Sequence, residues 1–159
     1  MTVDSKDMLE KAYECAENSE YSEAMSLYDE ALKRDPDNVR IIIDRGATLQ
    51  NMGENRRAIR AYERALEISP DHPDALLNKG SALHCESRYD EAISCYDVVL
   101  ESDKMCAVAY AYKGLSLGEK GDMAGALAHF KRALAIDGRY ELAAVSMDAA
   151  QKMLDSKTR

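Results

Sequence analysis

The chain has no tryptophan, one phenylalanine and three prolines in 159 residues, and no apolar run near the length of a membrane span. Sheet-rich cores draw on aromatic and β-branched side chains, so their scarcity beside abundant alanine argues against strands and for helices. A spanning helix needs about 18 or more consecutive apolar residues, and the opening MTVDSKDMLEK has no basic region followed by an apolar core. A soluble, cytoplasmic protein is expected. The four cysteines, Cys15, Cys85, Cys95 and Cys106, include no CxxC pair and are too irregularly spaced for a disulfide framework. They are expected as reduced, mostly buried thiols.

Chemistry-bearing patterns are missing as well. His72, His84 and His129 are dispersed, and no HExxH, GxSxG, GxGxxG or P-loop sequence occurs. The nearest approach to a metal set is His84–Cys85 with Cys95 and Cys106. Adjacent helical residues point to different sides, so packing is the better reading. No cofactor, no metal and no enzymatic activity are expected. A formal net charge of -8 argues against non-specific binding to nucleic acid or an anionic membrane.

What the chain does have is a period. Ala24, Ala58, Ala92 and Ala126 are evenly spaced, and the same step separates Tyr28, Tyr62, Tyr96 and Phe130, and again Ala31, Ala65, Val99 and Ala133. Ala12, Gly46, Gly80 and Gly114 form a small-residue series, followed three residues later by Cys15, Leu49, Leu83 and Leu117. Within residues 39–72 a helical apolar spacing breaks at NMGEN and resumes, so each repeat reads as two antiparallel helices. One helix pair cannot bury both of its apolar stripes alone, and neighbouring pairs must stack. Glycine inside a helix costs roughly 1 kcal/mol relative to alanine. Its return at 46, 80 and 114 therefore predicts close contact with an aromatic such as Tyr62. Pro36 and Pro70 end second helices; Lys104 and Gly138 stand at the equivalent places, so those turns need other chemistry.

The combination of small residue, Ala, aromatic, Ala and Pro in a 34-residue frame resembles the tetratricopeptide repeat. The resemblance covers residues 5 to about 138, although the family's early Trp is replaced by Met8, Ile42, Leu76 and Tyr110. It implies an all-α, right-handed superhelix, or solenoid, of four helix pairs at about 5–38, 39–72, 73–106 and 107–138. A capping helix at about 139–156 follows, the whole of 1–159 forming a single domain. In the cap, Leu142, Val145, Met153 and Leu154 are expected to face inward.

In this family the first helices line a concave groove that accommodates peptide segments. On a helical wheel the side chains about 100° from the packing glycine place Lys6, Leu9 and Tyr13; Arg40, Ile43, Gln50 and Asn51; Asp74, Leu77, Ser81 and His84; and Val108, Ala111 and Leu115 in that groove, with Asn78 and Tyr112 at its rim. Members that grip acidic tails use a Lys–Asn pair, then Asn, then Lys and Arg. Only Asn78 matches, so a carboxylate clamp is not expected.

Three charge patterns remain. Glu10, Glu14, Glu17, Glu20 and Glu23 suit a basic partner or a solvated face, and Arg56, Arg57, Arg60 and Arg64 suit a salt-bridged outer surface. Lys11, Arg45, Lys79 and Lys113 form a ladder that either binds a partner or pairs with acids such as Asp29, Glu63 and Asp97. The expected function is a non-enzymatic scaffold or adaptor for a protein or peptide partner, working as a monomer or weak homo-oligomer. The alternatives are an accessory or regulatory subunit of an enzyme complex, or a homo-oligomerising scaffold.

Overall fold

The computed structural model describes residues 5–157. Among them are nine α-helices and no strand: α1 Ser5–Glu17, α2 Tyr21–Arg34, α3 Val39–Asn51, α4 Asn55–Ile68, α5 Pro73–Cys85, α6 Tyr89–Ser102, α7 Ala107–Glu119, α8 Met123–Ile136 and α9 Glu141–Lys157. The first helices start at 5, 39, 73, 107 and 141, and the second at 21, 55, 89 and 123, so both series keep the step of the sequence period. The chain divides within α5 into two compact units, up to Ala82 and from Leu83 onward.

In the first unit α1 packs on α2, α2 on α3 and α3 on α4; in the second α6 packs on α7, α7 on α8 and α8 on α9. The periodic residues form the interior. Ala24, Ala58, Ala92 and Ala126 have no exposed surface, and Tyr28, Tyr62, Tyr96 and Phe130 are buried. A Cβ placed on Gly46 would stand 2.6 Å from Cε1 of Tyr62, and one on Gly114 2.7 Å from Cε1 of Phe130. A carbon at either position would force the ring to shift.

The buried phenols also need partners, because an unpaired hydroxyl in the interior is costly. Tyr28 finds the Thr48 hydroxyl and Tyr96 that of Ser116. Ala82 holds the equivalent place in the next helix and offers nothing, so the Tyr62 hydroxyl donates to Gln50 at 3.1 Å instead. Where Ala150 follows, the ring is Phe130, which needs no partner.

The turn inside each pair is built on one left-handed residue: Ser19 (φ 63), Gly53 (φ 78), Ser87 (φ 60) and Gly121 (φ 91). The amide after each reaches back five residues, as in Glu20 to Cys15 at 2.8 Å and Glu54 to Leu49 at 2.9 Å, closing the helix end. Serine is strained there and glycine is not. Ser19→Gly and Ser87→Gly should each raise stability by about 0.5 kcal/mol in urea unfolding; a loss in either would mean the serine side chain is needed. Between pairs, Asp103 and Asp137 supply the turn chemistry where proline is lacking, accepting from the amides of Met105 at 2.9 Å and Arg139 at 3.1 Å.

The cationic ladder is structural. Arg45 pairs with Asp29 at 2.7 Å, Lys79 with Glu63 at 3.2 Å and Lys113 with Asp97 at 2.5 Å, each tying a first helix to the second helix of the preceding pair. Lys11, in the first pair, takes Glu23 at 2.6 Å. At the next step the acid becomes Lys131 and the base becomes Met147, which packs on the α8 core instead.

Helix α9 corrects one expectation. Leu142, Val145 and Met153 are 39%, 64% and 50% exposed, and the buried residues are Ala143 and Ala150. Small side chains are needed because α9 lies against the bulk of Phe130 and α8, as Ala109 and Ser116 do one repeat earlier. The cysteines contain no disulfide among the described residues: Cys15 and Cys95 are buried, Cys106 is half-buried and Cys85, against expectation, is exposed at the end of α5.

Candidate functional site

The repeat geometry leaves one side of each first helix without a packing helix. In the first unit α1 lies beside α3, and Gln50 of α3 donates to Ser81 of α5 at 3.0 Å, which sets three first helices edge to edge. On this face Tyr13 is 56% exposed, Lys6, Arg40, Asn51 and Asp74 are exposed, and Leu9, Leu77, Asn78 and Ser81 are half-buried. Ile43 is different: at 6% exposure it packs within the helix layer and offers almost no surface. Gln50 uses its carbonyl for Tyr62 and its amide for Ser81, so it braces the wall.

In the second unit Val108, Tyr112 and Leu115 are half-buried, while Ala111 is wholly buried and presents no surface. Tyr112 packs edge-on against Tyr96 with ring centroids 5.9 Å apart. His84 Nδ1 lies 2.9 Å from the Ser116 hydroxyl, with its ring edge-on to Tyr89. Burial lowers the His84 pKa, with Glu119 opposing, so the ring is neutral at neutral pH and serves as a hydrogen-bonding brace. A cleft of about 260 Å³ lies among α7, α8 and α9, lined mainly by apolar groups including Leu115, Met123, Phe130, Ala149 and Met153.

The helical-wheel selection leaves out Asp44, although it holds the same repeat position as the rim residues Asn78 and Tyr112. It follows Ile43 on α3 and borders two clefts, one with Lys6, Leu9, Tyr13 and Arg40, the other with Tyr13, Glu17, Tyr21 and Asn51. Burial pushes its carboxyl above the usual range; Arg40, 3.8 Å away, pulls it back and Asp74 pushes it further. A raised pKa means that the folded state holds the proton more tightly than the unfolded chain. Stability from this group is therefore lost as pH rises from the ordinary carboxyl value of about 3.9 through the raised one. Asp44→Asn should gain stability relative to the parent at pH 7 and less at pH 3.5, measured by urea unfolding. A variant that loses more at pH 7 would show that the fold favours the ionised form.

One cluster could hold a metal. The ligand atoms of Cys15, Glu20 and Glu23 lie within 4.8 Å of one another. Glu23 is engaged by Lys11, and burial raises the Cys15 thiol pKa, which keeps it protonated and a poor ligand. The arginines of α4 form the expected outer surface: Arg57 pairs with Glu54, and Arg64 with Asp37 and Glu67. No helix of the described residues is long and apolar enough to cross a membrane.

Comparison with known proteins agrees with this architecture. A solved structure of MamA superposes with a TM-score of 0.80 at 21% identity, over 98% of this chain and 87% of that one. YrrB, described as a TPR protein with an unusual peptide-binding site, superposes at 0.79 with 23% identity, over 91% and 75%. The first TPR of Spaghetti, bound to the HSP90 peptide SRMEEVD, gives 0.70 at 17% identity, over 74% and 93%. No curated protein sequence matches. The family described as the cilia and flagella-associated protein 70 middle TPR-like domain matches residues 8–117. With the repeating helix register and the alanine, aromatic and glycine contacts that enforce it, the chain therefore belongs to that tetratricopeptide-repeat family.

Proposed function

We propose that the chain is a non-enzymatic adaptor that holds a segment of a partner protein against the first-helix face of its first unit, formed by α1, α3 and the start of α5. The observation that carries this reading is Tyr13, a large aromatic more than half exposed on a helix whose other side is packed, flanked by Leu9 and by side chains of both charges and amides. Binding energy concentrates in a few apolar or aromatic anchors ringed by polar groups, and this face has that composition. Two proteins of the same fold are described with peptide or a peptide-binding site, which supports this use of the scaffold. The acidic HSP90 peptide is a poor guide to the ligand here, since Asp44 and Asp74 would repel it.

Affinity on the order of micromolar is expected for a short segment held by few anchors. Tyr13→Ala with Leu77→Ala should abolish partner capture from a lysate while leaving the melting temperature nearly unchanged. An outer-face control, Arg57→Ala with Arg64→Ala, should keep the partner. The reverse pattern would move the binding surface to the second helices. A second reading rests on α9, whose exposed Leu142, Val145 and Met153 suit contact with another copy of the chain. Sedimentation that remains monomeric at high concentration would remove it.

A further inference from the structure

Between α1, α2 and α3 lies an open cleft of about 330 Å³ whose walls include Tyr13, Tyr21, Glu17 and Asp44. The Tyr13 hydroxyl bonds to Glu17, one helical turn away, so ring and carboxylate are held together. The Tyr21 hydroxyl is tethered to Ser19 at 3.3 Å. Asp44 is held in the α3 wall and is partly withdrawn from water. Its ion-pair partner among the described residues is Arg40, at 3.8 Å and on a side chain 88% exposed. No lysine or arginine is among the residues lining the cleft. Two carboxylates and two tyrosine rings thus surround a space that contains no cation of its own.

That arrangement selects against anions. Aromatic faces attract ammonium and guanidinium groups, and a carboxylate that is partly desolvated gains more from an incoming cation than one in bulk water. An incoming cation also relieves the repulsion that Asp74 imposes on Asp44. The charge is opposite to that of a groove built for acidic tails.

We propose that the cleft of Tyr13, Glu17, Tyr21 and Asp44 is a receptor for one lysine or arginine side chain of the partner segment, setting specificity for basic, apolar-anchored sequences. This rests on the reading that the first-helix face binds a segment. It adds which chemistry the segment must carry and where that residue sits.

The test uses a phage-displayed random dodecapeptide library selected on the full chain, followed by titration of the strongest peptide. The selected sequences are expected to share a lysine or arginine at one position beside apolar residues. Replacing that lysine by norleucine, or that arginine by citrulline, should weaken binding about tenfold. Glu17→Gln with Asp44→Asn should cause a similar loss and make the peptide replacement nearly neutral. A charge-matched control, Glu101→Gln with Glu141→Gln, alters two exposed acids elsewhere and should bind normally. Circular dichroism melting of both variants separates binding loss from unfolding.

Equal losses in the control and the cleft variant would show general attraction to an acidic protein and would overturn the proposal. So would peptides lost with Leu9→Ala and Leu77→Ala but carrying no common basic residue, an outcome that leaves the groove reading intact. Peptides that survive all first-helix substitutions, or a library that yields none above background, would reject the groove reading and this proposal with it.

Discussion

Gly46→Val is expected to cost about 3 kcal/mol and lower the melting temperature by roughly 10 °C. The added carbon atoms fall inside the ring of Tyr62, which has no exposed surface and is held by its bond to Gln50, so the ring cannot swing away. Valine at this helical position also restricts its own rotamers, which narrows the routes of relief. The contrast is Gly118, where a Cβ would meet Ala126 and Met123 at an ordinary 3.7 Å. Gly118→Ala should therefore be neutral or stabilising by up to about 1 kcal/mol, through helix propensity alone. If both substitutions destabilise equally in thermal melts, close approach to the aromatic is not the reason for the glycine series.

Removing residues 140–159 is the second large effect. Helix α9 covers Ala126, Phe130 and Ala133 of α8 through Ala143, Met147 and Ala150. Without it the Phe130 ring, 3% exposed in the fold, faces water. Repeat stability is close to a sum of neighbour contacts, so the loss should fall first on α7 and α8. A melting temperature lower by roughly 10 °C or more, with aggregation, is expected. Because deletion changes chain length as well, Ala143→Asp in the full chain provides a second reading, since it buries a charge without a partner. Truncated and substituted proteins that melt like the parent would show that α9 is not a cap.

Much of this is legible because the repeat supplies its own controls. The ladder pairs Arg45–Asp29, Lys79–Glu63 and Lys113–Asp97 are open to a structural reading because the basic and acidic series keep one constant offset along the chain. The phase of α9 is misjudged when size is preferred over register. Leu142, Val145 and Met153 are among the bulkiest apolar residues of that helix, but they lie one repeat after Val108, Ala111 and Glu119 rather than in the series that packs onto the preceding second helix. Continuing the series Ile41, Ala75 and Ala109 reaches Ala143, and Thr48, Ala82 and Ser116 lead to Ala150. Ile43 and Ala111 show the reverse limit. A helical wheel assigns an angle, but how far a neighbouring helix reaches over that angle depends on packing distances that one helix's sequence does not contain. Asp44 is reachable by the same register, one repeat before the rim residue Asn78, but its value comes from Tyr13 and Glu17 on another helix, which the wheel does not show.

The claim that a partner segment lies on the first-helix face is tested most directly by site-specific photo-crosslinking. A benzophenone amino acid placed in turn at positions 13 and 77, and at 60 and 94 on second helices, is irradiated in a lysate containing the partner. A common crosslinked protein is expected from 13 and 77, and none from 60 or 94. Crosslinks confined to 60 or 94 would contradict that claim.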